Sequence, residues 1–198
     1  MKKIIPVFLT IILAISLCAC SGAGDKVKFT PNLSSPFTVN AVIEYDDTTS
    51  EAVFRKYGNA NWDIEFSSPN TLAGVVLSYR DDNVEASYKG LSFSVPKSAL
   101  PVKSIISAFI EVVDTLSQQT EIDAVEDEGL MEIEGELSQG KYTLKLDKNG
   151  GLAEFDMPNL DVDIDFTSFV SDPSVSEPTT QPQTEASTQT ETTEAVTE

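Results

Sequence analysis

FTVNAVIEYDDTTSEAVFRKYGNANWDIEF, residues 37–66, carries the decision about the fold. Phe37, Val39, Ala41, Ile43 and Tyr45 alternate with Thr38, Asn40, Val42 and Glu44. A period of two places the first set on one side of a strand and the second on the other. Asp46-Asp47-Thr48-Thr49 then reads as a turn. Ala52-Val53-Phe54-Arg55-Lys56-Tyr57 is a second strand and Gly58-Asn59-Ala60-Asn61 a second turn. Trp62, Ile64 and Phe66 alternate with Asp63 and Glu65 in a third strand. Short strands joined by tight turns predict an antiparallel meander.

Toward the C-terminus the rhythm continues. Val75, Leu77 and Tyr79 precede an Asp81-Asp82-Asn83 turn; Val84, Ala86 and Tyr88 precede Gly90; Leu91, Phe93 and Val95 follow. Residues 102–116 break the pattern. Val102, Ile105, Ile106, Phe109, Ile110, Val112, Val113 and Leu116 fall at i, i+3, i+4, i+7 spacing, so this stretch predicts an amphipathic helix with Pro101 suited to its first turn. Strands resume at Met131, Ile133 and Leu137, then at Tyr142, Leu144 and Leu146. Asp147-Lys148-Asn149-Gly150-Gly151 turns the chain. Leu152, Ala153, Phe155 and Met157 follow, and Leu160, Val162, Ile164 and Phe166 alternate with Asp161, Asp163 and Asp165. The expected fold is mainly β (α+β): an antiparallel sheet apolar on one side, with one main helix covering part of that side.

The ends have other compositions. Residues 171–198 hold no aromatic residue, Lys or Arg and are rich in Thr, Ser, Glu, Gln and Pro. Such a segment cannot bury enough apolar surface to offset its ordering entropy, so it is expected to be a disordered acidic tail. Residues 1–19 combine Lys2 and Lys3 with a short apolar run, which is the anatomy of an export signal. Leu17-Cys18-Ala19-Cys20 resembles the lipobox of bacterial lipoproteins. The resemblance implies cleavage before Cys20 and a diacylglyceryl group on its thiol. One acyl chain holds only marginally at about 0.8 kcal/mol per CH₂; two anchor firmly. The expected location is the extracytoplasmic face of a cell membrane. Residues 20–35 read as a lipidated tether reaching roughly 20–25 Å, and residues 36–170 as one domain.

Charge and chemistry exclude several classes. Without its signal the chain keeps 11 basic residues against 32 acidic ones, a net −21 that repels nucleic acid. There is no histidine, and Cys20 is the one cysteine left after cleavage. That removes the commonest general base, the Ser-His pairing and intrachain disulfides. Carboxylates are abundant, but no motif sets two across a cleft as a glycosidase needs. We therefore read no catalytic residues, no cofactor and no enzyme. Asp161, Asp163 and Asp165 lie about 6.6 Å apart in strand steps, too wide for one Ca²⁺. They and Asp81-Asp82-Asn83 read as solvated surface, with no metal site.

Trp62-Asp63-Ile64-Glu65-Phe66-Ser67-Ser68-Pro69, followed by Leu72, Gly74 and Tyr79, resembles the lipoprotein-carrier superfamily of LolA and LolB, with LppX and LprG. The resemblance spans residues 36–166. It implies a strongly curved sheet or half-open barrel whose concave apolar face is covered by helices and holds acyl chains. It also implies an amphipathic helix ahead of the first strand, but residues 26–35, KVKFTPNLSS, are too short and too rich in Pro and Ser to form one. Trp62, Ile64, Phe66, Leu77, Tyr79, Phe93, Phe109 and Ile110 are the candidate pocket lining, with Tyr79 and Tyr88 as polar tips; ordinary core is the other reading of each. Two functions follow. One is non-covalent binding of a lipid or acyl chain for shielding or transfer. The other is a structural or protein-interaction lipoprotein of the cell envelope with a filled core.

Overall fold

The structure, a computed structural model, describes residues 26–99 and 105–174. The expected signal, Cys20, residues 102–104 of the expected helix and residues 175–198 of the expected tail lie outside the described residues. The described elements are β1 (Lys26–Phe29), β2 (Phe37–Tyr45), β3 (Thr48–Gly58), β4 (Asn61–Ser68), β5 (Val76–Arg80), β6 (Asn83–Tyr88), β7 (Leu91–Pro96), helix α1 (Ile105–Ser117), β8 (Ile122–Asp127), β9 (Leu130–Leu137), β10 (Gly140–Leu146), β11 (Leu152–Met157) and β12 (Val162–Ser171). All twelve strands join one antiparallel sheet in the order β1-β8-β9-β10-β11-β12-β2-β3-β4-β5-β6-β7. Among the described residues it is an open, curved sheet with a single α-helix, as expected from the alternation and from the resemblance.

The inward face follows the period of two. Phe37, Val39, Ala41 and Ile43 of β2 are buried, as are Ala52 and Phe54 of β3 and Trp62, Ile64 and Phe66 of β4. From the other half come Leu144, Leu146, Phe155, Val162, Ile164 and Phe166. Helix α1 lays Ala108, Phe109, Ile110, Val112, Val113 and Leu116 against this face. It ends where Ser117 turns its hydroxyl back to the Asp114 carbonyl at 2.8 Å and to Asn59 Oδ1 at 3.0 Å.

The expected tether is too long. Residues 26–29 form β1, which pairs with β8 through Val27↔Ala124 and Phe29↔Ile122. Leu33 is fully buried. The Asn32 N–H donates to the Gly150 carbonyl at 3.0 Å, which pins residues 30–33 to the β10–β11 turn. The folded part therefore includes residues 26–33, and a strand stands in the chain where the resemblance implied a leading helix. The physical reason is pairing: neither KVKF nor IDAVED holds enough apolar residues to signal a strand alone, and each is completed by the other.

The β10–β11 turn offers a test. Gly150 has φ +83°, and a Cβ there would stand 2.4 Å from the Asn32 nitrogen. Gly150→Val is expected to cost about 1–3 kcal/mol through backbone strain alone. It should also speed amide exchange at residues 27–29, read alongside urea denaturation.

Candidate functional site

The eight residues of the expected lining separate into two groups. Trp62, Ile64, Phe66, Tyr79, Phe109 and Ile110 are buried between the sheet and α1. The Phe109 ring sits among four others, with centroids 5.4 Å from Phe54, 5.8 Å from Trp62, 5.4 Å from Phe155 and 5.1 Å from Phe166. These rings meet edge-on or stacked, the arrangements that their quadrupoles favour. For them the ordinary-core reading describes the packing.

Leu77 and Phe93 lie elsewhere. Strand register places Ile64, Leu77, Ala86 and Phe93 in one row across β4, β5, β6 and β7. Partners in an antiparallel ladder share a face, so the row continues the inward face. Its exposure climbs outward: Ile64 is 0% exposed, Leu77 and Ala86 are half-buried, and Phe93 is 66% exposed. The next row pairs Tyr88, 41% exposed, with Leu91, 77% exposed. Gly74, at φ +84°, brings the β4–β5 loop to the Tyr88 ring, and a Cβ there would lie 3.6 Å from it. The apolar face thus runs past the described cover onto a shelf made by Leu77, Ala86, Tyr88, Leu91 and Phe93. The sequence reading included Leu77, Phe93 and Tyr88 but missed Ala86 and Leu91, because alternation reports a face and not what covers it.

Polar chemistry gathers on the other face and on one rim. On β3–β5, Arg80 Nη2 donates to Asp63 Oδ1 at 2.7 Å, the Tyr57 hydroxyl donates to Asp63 Oδ2 at 3.0 Å, and Arg55 pairs with Glu65 at 3.0 Å. Burial, then the Asp63 charge, pushes the Tyr57 hydroxyl up to about 12. On the other half, Lys145 pairs with Glu154 beside Asp156 and Asp163. An open cleft of about 630 Å³ at the β2–β3 turn is lined by Glu44, Asp46, Asp47, Asp156, Asp161 and Asp163. Its carboxylates make it a poor seat for an acyl chain. Among the described residues no three acids converge as metal ligands.

Asp163 is held above the usual carboxylate range, first by burial, then by the charges of Asp165, Asp156, Glu154 and Glu44. The folded state therefore binds its proton more tightly than the unfolded one. Its contribution to stability falls as pH rises from about 4 through the folded value. Asp163→Asn is expected to raise the urea midpoint at neutral pH, and the gain should vanish in acid, below the unfolded value.

No protein-family model matches the chain, and no curated protein matches it in sequence. Several solved structures are similar in fold. An uncharacterized conserved protein of Thermus thermophilus is 14% identical with TM-score 0.47, covering 71% of this chain and 81% of its own. A LolA superfamily protein of Nitrosomonas europaea is 9% identical with TM-score 0.37, covering 71% and 87%. A putative outer membrane lipoprotein-sorting protein domain of Vibrio parahaemolyticus is 10% identical with TM-score 0.34, covering 74% and 88%.

Proposed function

We propose that this chain is an exported lipoprotein, anchored through Cys20 outside a membrane, that holds the acyl part of a lipid or lipoprotein on the open end of its curved sheet. One observation carries the reading: the apolar row Ile64–Leu77–Ala86–Phe93 passes from fully buried to mostly exposed without changing face. Ligand sites are mostly apolar with a few placed polar groups, and are usually concave; here the curvature of the sheet supplies the concavity, and the Tyr88 hydroxyl and Lys89 stand at its margin. Nothing in the reading needs a chemical step.

Phospholipid carrying a photoactivatable acyl chain, offered to the mature protein as a monomer below its critical micelle concentration and without vesicles, tests it. Adducts are expected on residues 77–93. Phe93→Asp should lower their yield about tenfold, since burying one large apolar side chain is worth about 1.5–3 kcal/mol. Adducts scattered over the acidic face would end the proposal. Export with lipidation is checked separately: a clickable fatty acid should label the wild type and spare Cys20→Ala.

The packed rings around Phe109 favour the second reading, an envelope interaction protein with a filled core. Under it the same shelf crosslinks to a protein and takes up no lipid.

A further inference from the structure

The tip of the β6–β7 hairpin is unlike the rest of the molecule. Six large apolar residues are exposed among the described residues, and three of them, Tyr88, Leu91 and Phe93, fall within six positions. The turn between the strands is tight, with Lys89 at φ 49° and Gly90 at φ 83°. A Cβ on Gly90 would meet nothing within 4 Å, so the tip projects into open space. β7 closes the order of the sheet, so its outer edge has no strand beside it among the described residues.

Charge separates this tip from its surroundings. The chain carries 32 acidic residues, yet residues 86–110 contain none, and Lys89 stands in the turn itself, while Lys97 lies past the far end of β7 over the Tyr79 ring. The neighbouring β4–β5 loop, residues 67–74, is uncharged as well. The acids of the β2–β3 turn share this rim but lie four strand spacings away, about 19 Å along the sheet. That exceeds the Debye length of about 8 Å at physiological salt. Asp81 and Asp82 sit at the far end of β6, about 20 Å from the tip, where the Lys97 N–H donates to the Asp82 carbonyl. Glu85 stands on the face of β6 opposite Val84 and Ala86.

We propose that the Tyr88–Phe93 tip is a second membrane contact, docking on a bilayer that contains anionic lipid. Leu91 and Phe93 enter the acyl boundary. Tyr88 sits at headgroup level, where amphipathic rings are favoured. Lys89, whose ammonium lies 4.9 Å from the Tyr88 ring centroid, meets the lipid phosphates. The net −21 of the mature chain repels an anionic surface overall, so an acid-free tip bearing Lys89 is a side that such a surface tolerates. The inference rests on the anchoring part of the proposed function, not on lipid carriage. Six residues from Cys20 to Lys26 span at most about 20 Å, which keeps the domain beside the bilayer, while the tip projects from the opposite edge strand and the opposite rim to Lys26 and so makes a separate contact.

The test uses mature, lipidated protein in phosphatidylcholine vesicles made with and without phosphatidylglycerol. Acylation blocks Cys20, so Ser92→Cys offers a single thiol for a fluorophore, and Tyr45→Cys, among the acids of the β2–β3 turn four strand spacings away on the same rim, is the control. Brominated lipid is expected to quench the probe at 92, more strongly with phosphatidylglycerol, and to spare the probe at 45. Lys89→Ala should weaken docking about fivefold, and Leu91→Ser about tenfold or more, with the urea midpoint unchanged.

Equal quenching at both positions, or equal quenching with and without phosphatidylglycerol, overturns the proposal. So does an unquenched position 92 in protein that floats with the vesicles, or shielding at 92 in detergent that grows with protein concentration, the signature of a second copy. Protein that fails to float, or that takes label at Cys20, shows that the anchor is at fault. Quenching at 92 without photo-adducts keeps the docking and removes the carriage.

Discussion

Phe109→Ala is expected to remove about 3–5 kcal/mol of folding stability. The ring lies at the crossing of α1 with both halves of the sheet and touches Phe54, Trp62, Phe155 and Phe166. Its removal loses the transfer of a phenyl group and leaves a cavity bounded by stiff aromatic walls that collapse poorly. A domain with about 5–15 kcal/mol in total keeps little after such a loss. The urea midpoint should drop with the slope retained. Phe93→Ala is the matched control: the same atoms leave a site that is 66% exposed, and the expected change is within about 0.5 kcal/mol. The contrast also bears on function. If Phe109→Ala costs under about 1 kcal/mol, the ring borders unfilled space and a deep acyl pocket under α1 regains support. A loss near 4 kcal/mol leaves the open shelf as the place for a ligand.

The strands were legible in the sequence wherever one apolar side chain stood at every second position, as in β2, β4 and β12. The helix was legible through the 3.6-residue spacing of Ile105, Phe109, Val112 and Leu116. β1 and β8 were not, because two or three apolar residues among charges make a strand only when the partner is already in place. Coverage was also invisible residue by residue, though dimensions hint at it. Thirteen helical residues measure about 20 Å by 10–12 Å, whereas twelve strands side by side span more than 50 Å before curvature. Among the described residues one such helix cannot roof the whole face, so some inward-facing row is without helical cover there. Which row it was depended on where α1 crosses, and the rings around Phe109 decide that. Lys56 was the other surprise. It sits at an inward position of β3 where the alternation calls for an apolar residue, and it is 1% exposed.

Asp114→Ala is expected to cost about as much as the phenyl deletion, about 3–5 kcal/mol, because it strands a buried charge. The Asp114 carboxylate on α1 accepts the Ala60 N–H at 2.8 Å and the Trp62 Nε1–H at 3.1 Å, and it faces the Lys56 ammonium at 3.8 Å. It thereby clamps the last turns of the helix to the β3–β4 turn. Without it, two donors and an ammonium beside the Trp62 ring lose their partner. Lys56→Met is expected to be neutral or stabilising, since a buried ion pair seldom outweighs an apolar replacement of similar volume. The double variant should recover part of the Asp114→Ala loss, a coupling of about 0.5–3 kcal/mol.

The pH dependence gives an independent check. Burial lowers the Lys56 pKa below 10.5, and Asp114 opposes this. The folded state then releases this proton before the unfolded state does. Stability due to this group therefore rises with pH from the folded value up to about 10.5. Removing Asp114 deepens the depression, so Asp114→Ala should lose less at pH 10 than at pH 7. Tyr57 acts in the opposite sense, with stability lost between about 10 and 12 as it ionises late, so the comparison belongs between about pH 7 and 10. Asp114→Ala losses that stay equal across that range, together with a destabilised Lys56→Met, would show that Lys56 serves the fold by packing alone and that the clamp is made by the two N–H donors.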